Sequence, residues 1–301
     1  MTLPAPDALR AANRRGVLAL SAGMASFVTN DALVKYVSQS LPASELIFLR
    51  GVFATTLLLA IAAATGELRQ WALLRDRRVL LRAGFDAFAT LTYLTSLFHL
   101  PLANATAINM ATPLFITLFA VMAFHERVGP GRWLAVAVGF AGVLLVVQPS
   151  GAAFNAYALL CLGGTLLHAG RDLTTRVIDR GVPSLLITLS TALAVTLLSG
   201  FWGLGHDWIA VTTGQLALLA LASIFLSGGY FLLTVSMRSG EMSVIAPFRY
   251  TGLLFALVLG FAVWGDVPNL LAWGGIALLV GAGLAVLHGQ RSRAVGTPAA
   301  D

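Results

Sequence analysis

Charge is scarce in this 301-residue sequence: Asp, Glu, Lys and Arg make up 11% of it, hydrophobic residues 58%, and the mean hydropathy is +0.85. A soluble domain averages about 25% charged residues. No polar face is therefore available to cover a water-exposed fold of this length. Cysteine is nearly absent. The single Cys161 excludes a disulfide framework within the chain and reads as a small packing residue. Several chemistries lack their residues. His125-Glu126 is followed by Gly129 where a second zinc-binding His would stand. No Gly-x-Ser-x-Gly elbow with triad partners occurs, and no P-loop for ATP hydrolysis. The sequence thus points to no enzyme, metal or cofactor. The 19 Lys and Arg are not gathered into one patch with stacking aromatics, which excludes a nucleic-acid partner. The run after the basic N-terminal flank is too apolar and too long for a signal h-region, so a retained first span is expected.

Long apolar runs are what the chain has. A hydrocarbon core of ~30 Å needs about 20 residues per helix. The spans expected are 16–38, 45–65, 79–99, 103–123, 131–148, 155–177, 184–204, 213–236, 241–263 and 269–287. They must be helices, because an open sheet would leave backbone groups unpaired in lipid. Residues 291–301 read as a disordered tail, and 66–78 as an amphipathic piece at the headgroups. Asn104-Ala105-Thr106 fits the glycosylation pattern but opens a helix after a very short loop.

The basic residues give an orientation. Arg10, Arg14 and Arg15, the run Arg69 to Arg82, Arg127 and Arg132, Arg171, Arg176 and Arg180, Arg238, and Arg291 and Arg293 fall on one side. The other side has Lys35 at most, while Arg50 and Arg249 lie inside spans. The positive-inside rule puts both termini in the cytoplasm of a bacterial-type inner (plasma) membrane.

The chain also repeats itself. Asp31, Lys35 and Pro42 recur 141 positions later as Asp172, Arg176 and Pro183, and Ala141-Gly142 as Ala282-Gly283. Tyr93 falls near Tyr230, and Ala107-Ile108 near Val244-Ile245. Five spans per copy is an odd number, so the second copy enters from the opposite face. The expected fold is an all-α membrane protein of ten transmembrane helices in two five-helix inverted repeats. The expected segments are a tail 1–15, repeats 16–148 and 155–287, a loop 149–154 and a tail 288–301. Pro149 and Gly151 would end the fifth helix. Inverted repeats are a common build for secondary transporters, with a site near the midplane. Gly-rich fifth and tenth spans should pack tightly, as scaffold or dimer contact.

Each copy ends in a helix, a short acidic turn and a Gly-rich helix: FITLFAVMAFHERVGPGRWLAVAVGFAGVLLVV, then LFALVLGFAVWGDVPNLLAWGGIALLVGAGLAVL. These stretches resemble the drug/metabolite transporter superfamily in its EamA-type ten-helix branch. Glu126 matches the family's acidic position, with Asp266 standing in for it in the second copy. Lys35 and Arg50 look like its basic residues in the first two helices. Ser190 or Thr191 falls where Arg50 would recur, a departure that removes a symmetric role for Arg50. As a whole the chain is most similar to YddG-type exporters of aromatic and other neutral amino acids.

Polar groups deep in a span are costly and mark function. Phe27, Asn30 and Asp31 share one face of the first helix, as His168, Arg171 and Asp172 do in the sixth. The candidate substrate-binding residues are Phe27, Asn30, Tyr93, Asn109, His168, Tyr230, Arg249 and Tyr250. Arg249 is read as a carboxylate clamp or as the partner of Asp86, which is otherwise a proton carrier. The candidate gating residues are the pairs Asp31–Lys35 and Asp172–Arg176, with Pro113 and Pro247 bending the fourth and ninth spans. Solvated helix ends are the alternative for the pairs, and packing kinks for the prolines. Arg50 would snorkel outward or pair with Glu45 or Asp31. The tryptophans read as interfacial anchors. The expected function is alternating-access export of small amphipathic solutes, aromatic and other neutral amino acids first. The chain would work alone or as a homodimer in the bilayer. Alternatives are a drug or nucleotide-sugar transporter of this fold, or an intramembrane enzyme or assembly factor.

Overall fold

The computed structural model describes residues 6–295 except 125–128, 149–154, 180, 206 and 240. Its helices are α1 (Pro6–Val37), α2 (Ala43–Ala64), α3 (Arg77–His99), α4 (Leu102–Asn109), α5 (Thr112–Phe124), α6 (Pro130–Val147), α7 (Ala156–Arg176), α8 (Ser184–Gly203), α9 (Thr213–Ser239), α10 (Met242–Ile245), α11 (Thr251–Trp264) and α12 (Leu270–Val295). Helices α4 and α5 form one broken span, and α10 and α11 another, joined by a 3-10 turn over Ala246–Tyr250. The chain thus crosses the membrane with ten helical spans.

Local chemistry sets the ends. Asp76 caps α3 by accepting from the amides of Arg78 and Val79, and Asn155 caps α7 through the amide of Tyr157. Pro42 and Pro183, which are repeat-equivalent, precede α2 and α8. Gly265, at φ 69°, closes α11. Two boundaries differ from expectation. Helix α1 starts at Pro6 and α12 runs to Val295, into the stretch read as a disordered tail. Ala, Leu and Arg at 8–15 are strong helix formers, so α1 continues beyond the apolar run. Between α2 and α3 a 3-10 stretch covers Glu67–Arg75. Its Leu68 and Leu74 pack against Leu58 and Leu186, and Trp71 is exposed under Arg75.

Among the described residues, six segments are long and apolar enough to cross a bilayer, and two shorter ones, Trp133–Val147 and Leu270–Ala285, accompany them. Helices α3 and α7 are in neither set. They carry Arg82, Asp86, Arg171 and Asp172, and they pack along each other. Polarity that lipid would reject is satisfied between them.

Helix pairing follows a two-fold relation. The main pairs are α1 with α9, α3 with α7, α2 with α8 and α6 with α12. Exchanging the two repeats turns the first pair into the second and returns the last two to themselves. The equivalent hydroxyls of Thr55 and Thr196 bond to each other at 3.2 Å, 141 positions apart, as an isologous contact must. Where α6 crosses α12, a Cβ on Gly142 would lie 2.7 Å from the Gly275 carbonyl, and one on Gly275 2.5 Å from that of Gly142. The expected tight packing of the Gly-rich spans is thus between these two helices. Outward faces are apolar, with Phe201, Leu254 and Leu270 exposed as lipid-facing residues are.

Candidate transport site

Three layers of polar residues stack along the bundle between α1, α2, α3, α4 and α7. The layer farther from the arginine-rich end is built on α1. Asn30 Nδ2 donates to Asp31 Oδ1 at 2.9 Å, and the Tyr93 hydroxyl of α3 donates to Asp31 Oδ2 at 2.9 Å. Arg50 of α2 reaches Asn30 Oδ1 with one nitrogen at 3.4 Å. Arg50 is only 4% exposed, so it does not snorkel, and Glu45 instead accepts from the amide of Ile209.

The middle layer forms at the first helix break. Met110 and Ala111 leave the helix, Thr112 and Pro113 begin the next segment, and the Asn109 side chain faces α7. There its Oδ1 lies 2.9 Å from His168 Nδ1. The Tyr93 ring lies 5.9 Å from the His168 ring, so Tyr93 bridges the faces of α1 and α7. Phe27 meets Tyr230 edge-to-face at 5.1 Å. Carbonyls of α4 also meet side chains of α7: Thr165 donates to Ile108, and Cys161 makes a long contact to Ala105.

The layer nearest the arginine-rich end is a charge cluster. Arg171 Nη1 donates to Asp86 Oδ1 at 3.0 Å, and its Nε and Nη2 hold Asp172 Oδ1 at 2.9 and 2.8 Å. Arg82 sits 3.5 Å from Asp86 Oδ2 and donates to Thr191 and Thr175. Thr191 is the position where Arg50 would have recurred, so Arg82 brings a guanidinium there from a different helix. Counting Arg82 with the loop charges hid this cluster, although Arg171 was placed on the His168 face of the sixth helix; the i, i+4 spacing of Arg82 and Asp86 was the available signal.

Six of the eight residues singled out for binding converge here: Phe27, Asn30, Tyr93, Asn109, His168 and Tyr230. Arg249 does not pair with Asp86, which both arginines already occupy; its side chain is exposed. It stands two residues after Pro247 in the 3-10 turn Ala246–Tyr250. Tyr250 turns toward α12, its ring filling the space over Gly283. The Asp31–Lys35 pair does not form either. Lys35 donates to the carbonyls of Leu97 and Leu100 at the end of α3 and lies 5.5 Å above the Trp264 ring. Those carbonyls are the helix's unsatisfied last turn, a better partner than a carboxylate already bonded twice. Asp172 is held by Arg171. The Arg176 side chain and Glu126 lie outside what the structure describes. Among the described residues no group of His, Cys, Asp and Glu could hold a metal ion.

The model of the EamA-like transporter family matches residues 14–148 and again 155–287. The pseudopaline exporter of Pseudomonas aeruginosa is 28% identical over 91% of this chain and 96% of its own. A riboflavin transporter of Rhizobium johnstonii is 28% identical over 72% of each chain. An S-adenosylmethionine uptake transporter of Rickettsia bellii is 24% identical over 89% and 91%. A crystal structure 19% identical covers 93% of this chain and 99% of its own, with a TM-score of 0.63, and shares the fold. These relatives move a range of small organic solutes and do not single out amino-acid exporters. The bundle of ten spans and the twice-matched family model lead to one conclusion: this chain belongs to the EamA-like transporter family, as a multi-pass transporter of small solutes and not an enzyme.

Proposed function

We propose that the chain exports amphipathic organic solutes of zwitterionic character, aromatic and other neutral amino acids first, by alternating access between its two repeats. The observation that carries this reading is the stacking of the layers. Aromatic rings and His168 form the middle, and each flanking layer holds both a carboxylate and a guanidinium. A solute lodged in the middle finds apolar walls, with both signs of charge within reach. A bare cation site would need a carboxylate without a nearby Arg, and a nucleotide-sugar site a surplus of basic groups. The two helix breaks support motion about the same level, since interrupted helices let a span rock in two halves. Both termini are assigned to the cytoplasm on the distribution of arginines.

A second reading is favoured by the relatives, whose names record riboflavin and S-adenosylmethionine as cargo. Counterflow of labelled phenylalanine into proteoliposomes holding the purified chain separates the two. Unlabelled neutral amino acids should compete, and riboflavin and S-adenosylmethionine should not. Competition by either of these alone, with amino acids inert, would replace the first reading with the second. Truncating His168 to Ala, or Tyr93 to Phe, removes a buried hydrogen bond at the site. The Tyr93 bond is to the Asp31 carboxylate, and a bond to a charged group contributes about 1.5–3 kcal/mol, so counterflow should fall roughly tenfold to a hundredfold at matched expression. The His168 bond is to the neutral Asn109 amide and contributes about 0.5–1.5 kcal/mol, so its loss should cost roughly twofold to tenfold.

A further inference from the structure

The two charged layers occupy related places in the two repeats but are completed differently. In the layer on α7, Arg171 stands directly before Asp172 and grips it, and Asp86 and Arg82 close the group at net zero charge. The equivalent of Arg171 in the first repeat is Asn30, 141 positions earlier. Its carboxamide lies between Arg50 and Asp31: the oxygen accepts from Arg50 at 3.4 Å and the nitrogen donates to Asp31 at 2.9 Å. Arg50 and Asp31 make no direct ion pair, although charges this deep in a bundle normally do.

The result is a guanidinium with unused capacity. Arginine carries five N–H donors. Arg50 uses one at long range, and its buried Nε has no partner. Asp31 keeps lone pairs free beyond those used by Asn30 and Tyr93. We propose that Arg50 and Asp31, divided by the Asn30 amide, form an open ion pair that receives the two poles of a zwitterionic solute. The guanidinium takes the carboxylate in a bidentate contact, and the Asp31 carboxylate takes the ammonium group. The Tyr93 ring, held by its hydroxyl on Asp31, then forms the wall beside the solute's side chain. The site is neutral when empty and neutral when filled, whereas a purely anionic or cationic solute would leave one buried charge uncompensated. This assignment rests on the zwitterion reading above and gives it a residue-level address.

The test uses the full chain in nanodiscs, with binding followed by thermal shift and by displacement of labelled L-phenylalanine. The probes are L-phenylalanine, L-phenylalaninamide, which lacks the carboxylate, and N-acetyl-L-phenylalanine, which lacks the ammonium. In the wild type both half-ligands should bind at least tenfold more weakly than the amino acid. Arg50→Gln should lose phenylalanine at least tenfold while keeping the amide. Asp31→Asn should lose it while keeping the N-acetyl compound. Asn30→Asp gives Arg50 a carboxylate of its own and removes the amide donor to Asp31, so the site gains a net negative charge. Phenylalanine binding should then fall tenfold or more while the cationic L-phenylalaninamide binds at least as tightly as to the wild type. This last variant decides the matter even if Arg50→Gln does not fold. Wild-type phenylalanine affinity in Asn30→Asp, or equal losses for all probes in Arg50→Gln and Asp31→Asn, would overturn the divided pair and leave amino-acid transport standing. A wild type that binds no phenylalanine would overturn both.

Discussion

Asp86 is the carboxylate that both arginines of the basic-end layer touch, at 3.0 and 3.5 Å. Removing it would leave the largely buried Arg82 without a carboxylate and Arg171 with Asp172 alone. Losing one partner of a buried ion pair typically costs about 3–5 kcal/mol. Asp86→Ala should therefore destabilise the bundle by about that amount, read as a lowered unfolding midpoint in detergent, and Asp86→Asn by less because its carbonyl still accepts. An unchanged midpoint for Asp86→Ala would mean the layer is solvated. Residue depth was only half legible beforehand. Counting along a span placed Arg249 eight residues in, yet it is exposed, because depth along a helix says nothing of rotation around it. Arg50, read as equally able to snorkel or to pair, is buried. Asn30, Asp31 and His168 were found by face periodicity, and Tyr93 and Tyr230 by repeat equivalence, which do report on rotation, whereas Asn109, the partner of His168, carried neither signal.

At the scale of elements, the broken spans were readable and their consequences were not. Pro113 and Pro247 announced interruptions in the fourth and ninth spans, and the helix leaves its path at Met110–Ala111 and over Ala246–Tyr250. Nothing local revealed that α7 would meet the carbonyls of α4 through Thr165 and Cys161, since that depends on a helix 50 or more residues away. Glycine content did forecast the α6–α12 contact. Gly142→Ala would drive a Cβ into backbone atoms at 2.7 and 2.9 Å, neither of which can rotate aside. Overpacking of this kind typically costs about 1–3 kcal/mol, seen as a drop in thermal stability. Gly281→Ala in α12 meets nothing within 4 Å. It should be neutral or gain up to about 1 kcal/mol from the lower entropy of the unfolded chain. Equal effects from the two substitutions would refute a close helix crossing.

For the whole molecule, ten spans and their repeat came directly from hydropathy and from the 141-residue echo, because lipid permits little besides helices. Pairing of α1 with α9 and of α3 with α7 did not, since repeats constrain symmetry and leave the contact partners open. Orientation is checked by labelling. A cysteine placed at Gln148 should react with an impermeant maleimide added outside intact cells, and one at Arg77 should not; the opposite pattern would invert the assignment. The threonine contact at the axis has a further consequence. If transport exchanges the shapes of the two repeats, then Thr55 and Thr196 exchange with each other, and their separation is the same before and after. Pairs away from the axis have no such protection. Spin labels at Tyr36 and Phe98 should separate as labels at their repeat equivalents Val177 and Val235 approach, and the reverse in the other state, while labels at 55 and 196 keep one distance throughout. Two side chains joined by a 3.2 Å hydrogen bond thereby supply a built-in fiducial mark, against which every other displacement in the transport cycle can be measured.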